Sequence, residues 1–228
     1  MTASSAPGER LSPASGAGAA DRPALPAGLA ECPAIAIFRR LPRPRVLAVA
    51  GALRAAGIRV MELTVDSPEA LQLMSELRSR GDALAVGAGT ILDLEAARRA
   101  VDAGASFLVS PHTDDELLEF SRSSGAPLIP GAATASEVVR AWRGGATAVK
   151  LFPASSLGVG TLVALRDPLP DVRFIAVGGI DASNAGEFVR AGCVAVGVGS
   201  WLAAGGDAVQ AAARAVQLVN SLSAARSQ

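Results

Sequence analysis

The chain is nearly without lysine, histidine and cysteine, and each shortage narrows what it can do. Its 228 residues include one histidine and two cysteines, so no His cluster can form. Cys32 and Cys193 lie far apart, make no CxxC pair, and offer neither a disulfide framework nor a zinc-ligand spacing. A reducing cytosol is the compartment that fits. No Gly-rich P-loop follows any apolar run, which argues against nucleoside-triphosphate chemistry. The formal net charge is zero and the pI about 6.6, so nothing draws the chain to nucleic acid or to an anionic membrane. No stretch holds the roughly twenty unbroken apolar residues that span a bilayer. Small neutral or anionic metabolites stay open as ligands, as does a carboxylate-bound magnesium.

What is present is a core. Half of the residues are hydrophobic and 18% are charged, enough apolar material for one sizeable domain. Residues 1–28 are rich in Ala, Pro, Ser and Gly and show no apolar periodicity. The expectation is a disordered tail, without the charged start and apolar centre of a secretion signal, ahead of a single domain over residues 29–228. The protein is expected to be soluble and cytoplasmic.

From Pro33 onward short apolar runs alternate with longer amphipathic stretches. The runs are Ala34 to Phe38, Arg59 to Val65, Leu84 to Gly89, Phe107 to Ser110, Leu128 to Pro130, Ala148 to Phe152, Arg173 to Val177 and Ala195 to Gly199. They recur at roughly twenty to twenty-six residues, the length of a strand, a loop and a three-turn helix. Pro68 is expected at a first helical position, and Asp93, Thr113, Thr134 and Asp181 at helix starts. Glycines 57, 104, 125, 145 and 192 match helix stops. A doubly wound sheet shares this alternation but rarely needs eight units in so short a chain. The expected fold is α/β, a (β/α)8 TIM barrel.

Chemistry in such a barrel gathers at the C-terminal ends of the strands, where polar residues are few. The single lysine, Lys150, sits in the apolar run Ala148-Val149-Lys150-Leu151-Phe152-Pro153. A buried strand lowers the pKa of an amine, and a neutral amine is what Schiff-base chemistry requires; a lysine whose head reaches solvent at a strand end is the other reading. Glu62, in Val60-Met61-Glu62-Leu63-Thr64-Val65, puts a carboxylate in an otherwise apolar strand. It serves either as a structural ion pair with Lys150 or Arg39 or as the proton-transfer partner of an imine. Gly178-Gly179 and Gly199-Ser200 end the last two strands, where barrels commonly hold phosphate on backbone N–H groups. His112 follows a strand-end proline and reads as a general base or as a polar loop residue.

With these residues in place, the chain resembles the class I pyruvate-dependent aldolases that cleave 2-dehydro-3-deoxy-6-phosphogluconate and its galactonate epimer, the KDPG/KHG aldolase family. The resemblance runs from about Pro33 to Val219. Its motifs are Ile35-Ala36-Ile37-Phe38-Arg39, Met61-Glu62-Leu63-Thr64, Gly87-Ala88-Gly89-Thr90, Val109-Ser110-Pro111-His112, Val149-Lys150-Leu151-Phe152-Pro153, Val177-Gly178-Gly179-Ile180 and Gly197-Val198-Gly199-Ser200-Trp201.

The resemblance implies that Lys150 forms the Schiff base and Glu62 shuttles protons. Arg39 and Thr90 would bind the pyruvate end, with Gly178, Gly179, Gly199 and Ser200 as the phosphate cradle. Products would be pyruvate and glyceraldehyde 3-phosphate, with no metal or organic cofactor because the protonated imine is the electron sink. It also implies a homo-oligomer, commonly a trimer. Two departures bear on substrate. Asp66 stands where gluconate-type members often carry an arginine, leaving the carboxylate contact to Arg39. Val177 stands where they tend to have threonine, which tilts the expectation toward the galactonate epimer or relaxed specificity, with 4-hydroxy-2-oxoglutarate as a further candidate. A phosphosugar isomerase or synthase without an imine, and an inactive phosphosugar-binding barrel, are the alternatives.

Overall fold

The computed structural model describes residues 22–80, 85–203, 205 and 207–227. Among them the strands are β1 (Ala34–Phe38), β2 (Val60–Thr64), β3 (Ala85–Gly89), β4 (Leu108–Val109), β5 (Leu128–Ile129), β6 (Gly131–Ala132), β7 (Val149–Leu151), β8 (Phe174–Val177) and β9 (Ala195–Val198). Helix α1 (Gly28–Glu31) precedes them. Between and after them come α2 (Arg43–Ala55), α3 (Ala70–Ser79), α4 (Leu94–Asp102), α5 (Asp115–Ser124), α6 (Ala135–Arg143), α7 (Ala154–Arg166), α8 (Ala185–Arg190), α9 (Ser200–Ala203) and α10 (Ala208–Arg226). No described helix is long and apolar enough to cross a membrane.

All strands pair in parallel, in the order β5-β4-β3-β2-β1-β9-β8-β7-β6. The two ends of that order, β5 and β6, are halves of one run interrupted by Pro130. Proline has no N–H to give a ladder, but its carbonyl accepts the Lys150 N–H at 2.8 Å. The expected eight strands are therefore nine segments on eight barrel positions, and the (β/α)8 expectation holds.

Alternation along each strand separates two cores. Ala34, Ala36 and Phe38 of β1, Met61 and Leu63 of β2, and Val149 and Leu151 of β7 face the surrounding helices. Ile35, Val60, Phe107, Ile129, Ala148, Ile175 and Ala195 point to the barrel axis, with Leu29 of α1 packed among them. Each fully buried Val, Leu, Ile, Met or Phe among them contributes about 1.5–3 kcal/mol. The same alternation turns Arg39, Glu62 and Lys150 inward, one or two steps further along their strands.

Asp93 and Thr134 cap α4 and α6 as expected, accepting from Ala96 N and Glu137 N, and Glu137 closes a capping box. The helix-stop glycines at 57, 104, 125, 145 and 192 all have positive φ. Three helix starts differ from expectation. Pro68 lies in a turn and α3 begins at Ala70, because the Ser67 hydroxyl is engaged by Arg40 N and by Thr64 Oγ1 and leaves no cap there. The Thr113 hydroxyl donates to Gly131 O, so Asp114 caps α5 instead. Asp181 accepts from Ser183 N in a tight turn, and α8 begins at Ala185.

The expected tail, residues 1–28, lies outside the described residues as far as position 21, as does Leu84 of the third run. Arg22 is described: its guanidinium lies 3.6 Å over the Trp142 ring and donates to Ala146 O at 3.0 Å.

Candidate active site

Glu62 sits on β2 between Ile37 of β1 and Gly87 of β3, and Lys150 sits on β7 between Gly131 of β6 and Ile175 of β8. Small neighbours make the room. A Cβ at Gly89 would overlap the Glu62 carboxylate, and one at Gly131 would overlap the Pro111 carbonyl. Glu62 is 3% exposed and Lys150 7%. Both line one cavity of about 430 Å³ at the C-terminal mouth of the barrel, with Arg39, Phe152, Gly178, Gly179, Gly199 and Ser200.

Burial governs the charge states of the pair. It pushes the Lys150 ammonium below its ordinary value, with Arg39 adding to the shift and Glu62 opposing it. It pushes the Glu62 carboxyl up, against the pull of Lys150 and Arg39. Among the described residues the ion pairs join arginines to carboxylates, such as Arg40 to Asp66 and Arg140 to Asp115, and none joins Lys150 to Glu62. The pair therefore does not form the direct salt bridge of the structural alternative. Lys150 Nζ instead lies 4.7 Å from the centre of the Phe152 ring, whose π face attracts an ammonium, so the lowered value comes from burial and from Arg39.

On the far wall, Gly178 and Gly179 adopt φ +99° and +68°, conformations that only glycine takes without strain. The turn aligns α7 as well, since Ser155 N donates to Gly178 O at 3.0 Å. Ser200 opens α9 directly after Gly199. Neither glycine 178 nor 179 could carry a side chain without meeting Phe152, Pro153 or Ser155.

Arg39 reaches across the mouth and donates to Thr90 Oγ1 at 2.9 Å. Thr90 holds φ +61°, an uncommon state for a β-branched residue and one that tends to mark a functional constraint. Thr90 itself does not line the cavity; it meets the site through Arg39. His112 is exposed, with Nδ1 3.0 Å from Ser110 Oγ, and Pro111 rather than His112 lines the cavity. The structure thus gathers Lys150, Glu62, Arg39 and the glycine turns and leaves His112 outside.

Lining residues to which sequence reasoning gave no role in the site are Ile37, Pro111, Phe152, Ile180, Asp181, Gly197 and Trp201. Strand alternation carried one step past β7 would have found Phe152, two residues from Lys150. Asp181 and Trp201 lie in loops, where no period marks direction. Among the described residues no group of His, Cys, Asp and Glu could hold a metal ion.

A family model described as KDPG and KHG aldolase matches residues 27–218. The chain is 39% identical over 158 residues to a 2-dehydro-3-deoxy-phosphogluconate aldolase of Pseudomonas aeruginosa, covering 69% of this chain and 72% of that one. It is 34% identical over 186 residues to a 2-dehydro-3-deoxy-6-phosphogalactonate aldolase of Escherichia coli, covering 81% and 91%. Among solved structures it resembles a KDPG aldolase from Legionella pneumophila with pyruvate captured as a covalent carbinolamine intermediate. There the TM-score is 0.74 and the identity 31%, over 87% of this chain and 96% of that one.

Proposed function

The chain belongs to the KDPG and KHG aldolase family, and from that premise we propose what each residue of its cavity does. It is a carbon–carbon lyase of the Schiff-base type, cleaving a 2-dehydro-3-deoxy-6-phospho sugar acid to pyruvate and D-glyceraldehyde 3-phosphate.

The neutral Lys150 amine adds to the C2 carbonyl, the Glu62 carboxyl gives its proton to the resulting hydroxyl so that water leaves, and a protonated imine forms with Glu62 now a carboxylate. Glu62 takes the proton of the C4 hydroxyl, the C3–C4 bond breaks, and its electron pair moves into the iminium to give an enamine and the free aldehyde. The protonated Glu62 returns the proton to C3, and hydrolysis of the imine releases pyruvate and restores the amine. The upward shift of the buried Glu62 carboxyl suits a group that must give a proton as well as take one.

The Arg39 guanidinium receives the substrate carboxylate, the role left to it by Asp66. Thr90 accepts from Arg39 through its oxygen and so serves that carboxylate by orienting the guanidinium. The backbone N–H groups about Gly178, Gly179, Gly199 and Ser200 receive the phosphate. Val177, in place of a hydroxyl-bearing residue, favours the galactonate epimer or relaxed specificity; rates on both epimers and on 4-hydroxy-2-oxoglutarate decide this. The working unit is a homotrimer in the cytoplasm, and light scattering should give three times the 22.9 kDa chain mass.

One observation carries the assignment of roles: the only lysine of the chain is buried in the same cavity as a buried glutamate. Incubation with pyruvate and borohydride followed by mass spectrometry tests it cleanly. The expected result is a single reduced-pyruvate adduct on Lys150 and none on the N-terminal amine. Folded protein without an adduct would overturn it and favour a phosphosugar isomerase or a silent binding barrel.

A further inference from the structure

The loops after β1 and β2 meet in a polar knot beside the cavity. Arg40 holds φ +52°, a left-handed conformation that a non-glycine side chain keeps only when its surroundings impose it. Its N–H donates to Ser67 Oγ at 2.7 Å, its Nε donates to Asp66 Oδ2 at 3.0 Å, and its Nη2 lies 2.9 Å from the same oxygen. Ser67 Oγ lies 2.9 Å from Thr64 Oγ1, which ties the knot to the strand bearing Glu62. Burial pushes the Asp66 carboxyl up, but the Thr64 hydroxyl and the guanidiniums of Arg39 and Arg40 outweigh it and hold the group below the usual carboxylate range. Asp66 does not line the cavity.

We propose that Asp66, acting through Arg40, is a positioning residue for Arg39. The exposed Arg39 side chain is pinned at its far end by Thr90, and the left-handed turn at Arg40 sets its near end. The Arg40–Asp66–Ser67 latch holds that turn and so sets affinity for the carboxylate of the 2-oxo acid. Lys150 and Glu62 are held by their own strands, so releasing the latch weakens binding and spares the chemical step. This inference rests on the reading in which Arg39 takes the carboxylate.

The test follows borohydride adduct formation against pyruvate concentration, with kcat and KM for cleavage, in wild type, Asp66→Asn, Asp66→Glu, Arg40→Ala and the double variant Asp66→Asn/Arg40→Ala. Asp66→Asn should raise half-saturating pyruvate and KM by about two- to fivefold, the range set by one exposed ion pair, with kcat nearly unchanged. Asp66→Glu should recover most of the loss, and the double variant should be no worse than the poorer single one. Adduct formation at an unchanged half-saturation in Asp66→Asn overturns the inference. So does a parallel fall of kcat and affinity that glutamate does not rescue, which would mark a merely structural role. Wild type without an adduct overturns the Schiff-base reading itself, and is seen before any variant is compared.

Discussion

Two glycines of β3, Gly87 and Gly89, stand two residues apart on the same face of one strand, and each is glycine for a different neighbour. A Cβ at Gly87 would overlap the ring of Phe107; one at Gly89 would overlap the carboxylate of Glu62. Between them runs the boundary of two regions inside the barrel. Below, Val60, Phe107, Ile129, Ala148, Ile175 and Ala195 fill the axis with apolar volume. Above, Glu62 and Lys150 share a cavity that water can enter. The lower region spends its side chains on stability. The upper one holds two desolvated ionisable groups and the left-handed Thr90, each of which works against it.

The largest effect should come from Lys150→Met. With the imine unable to form, turnover should fall by more than about 10⁴-fold. Because the substitution also removes a buried amine held below its ordinary value, the urea midpoint should rise rather than fall. A midpoint lowered as much as by an ordinary core deletion would mean that the upper region is as well packed as the lower, and the contrast would break. Glu62→Gln should cost about 10²–10⁴-fold in kcat, the range of a general acid–base group, and leave the borohydride adduct on Lys150.

Exchange at the two glycines sharpens the boundary. Gly87→Ala overpacks the Phe107 ring and should cost about 1–3 kcal/mol of stability, while the folded fraction keeps its kcat. Gly89→Ala should do the reverse, since Glu62 can swing into the cavity and relieve the overlap at the expense of its alignment. Denaturant melts and initial rates on the same two preparations decide. If both substitutions lowered stability equally, the cavity would not be giving way as described.

The lower region was far more legible in the sequence than the upper. An apolar run reports a strand because burial on both faces demands it, so β1 matched the expected Ala34–Phe38 to the residue. The break of the fifth run followed from a proline already in view at 130. Lys150 and Glu62 were legible because each violates its run. Asp181 and Trp201 were not, because a loop residue's direction is set by turns such as the one Asp181 itself closes with Ser183. The starts of α3, α5 and α8 shifted by one to four residues from the expected positions for a related reason: hydroxyl and carboxylate groups that suit a helix cap suit a loop contact equally well. Local sequence does not say which contact wins.

The smallest effect to measure is the pH dependence of stability, which should belong to the upper region alone. Burial raises the folded Glu62 carboxyl above its ordinary 4.5, so the unfolded chain loses this proton before the folded one does. Stability from this group is whole below 4.5 and is lost as pH rises through the folded value. Burial lowers Lys150 below its ordinary 10.5. Below its folded value the barrel carries a desolvated ammonium, and stability is regained as pH climbs from that value toward 10.5. The two slopes enclose a shallow trough. The double variant Glu62→Gln/Lys150→Met should flatten it, whereas Gly87→Ala should lower the whole curve and keep its shape, since none of the apolar residues below ionises. Urea midpoints across the interval between the two ordinary values would distinguish these. A trough that survived in the double variant would place the electrostatic cost outside the cavity and erase the difference between the two ends of the barrel.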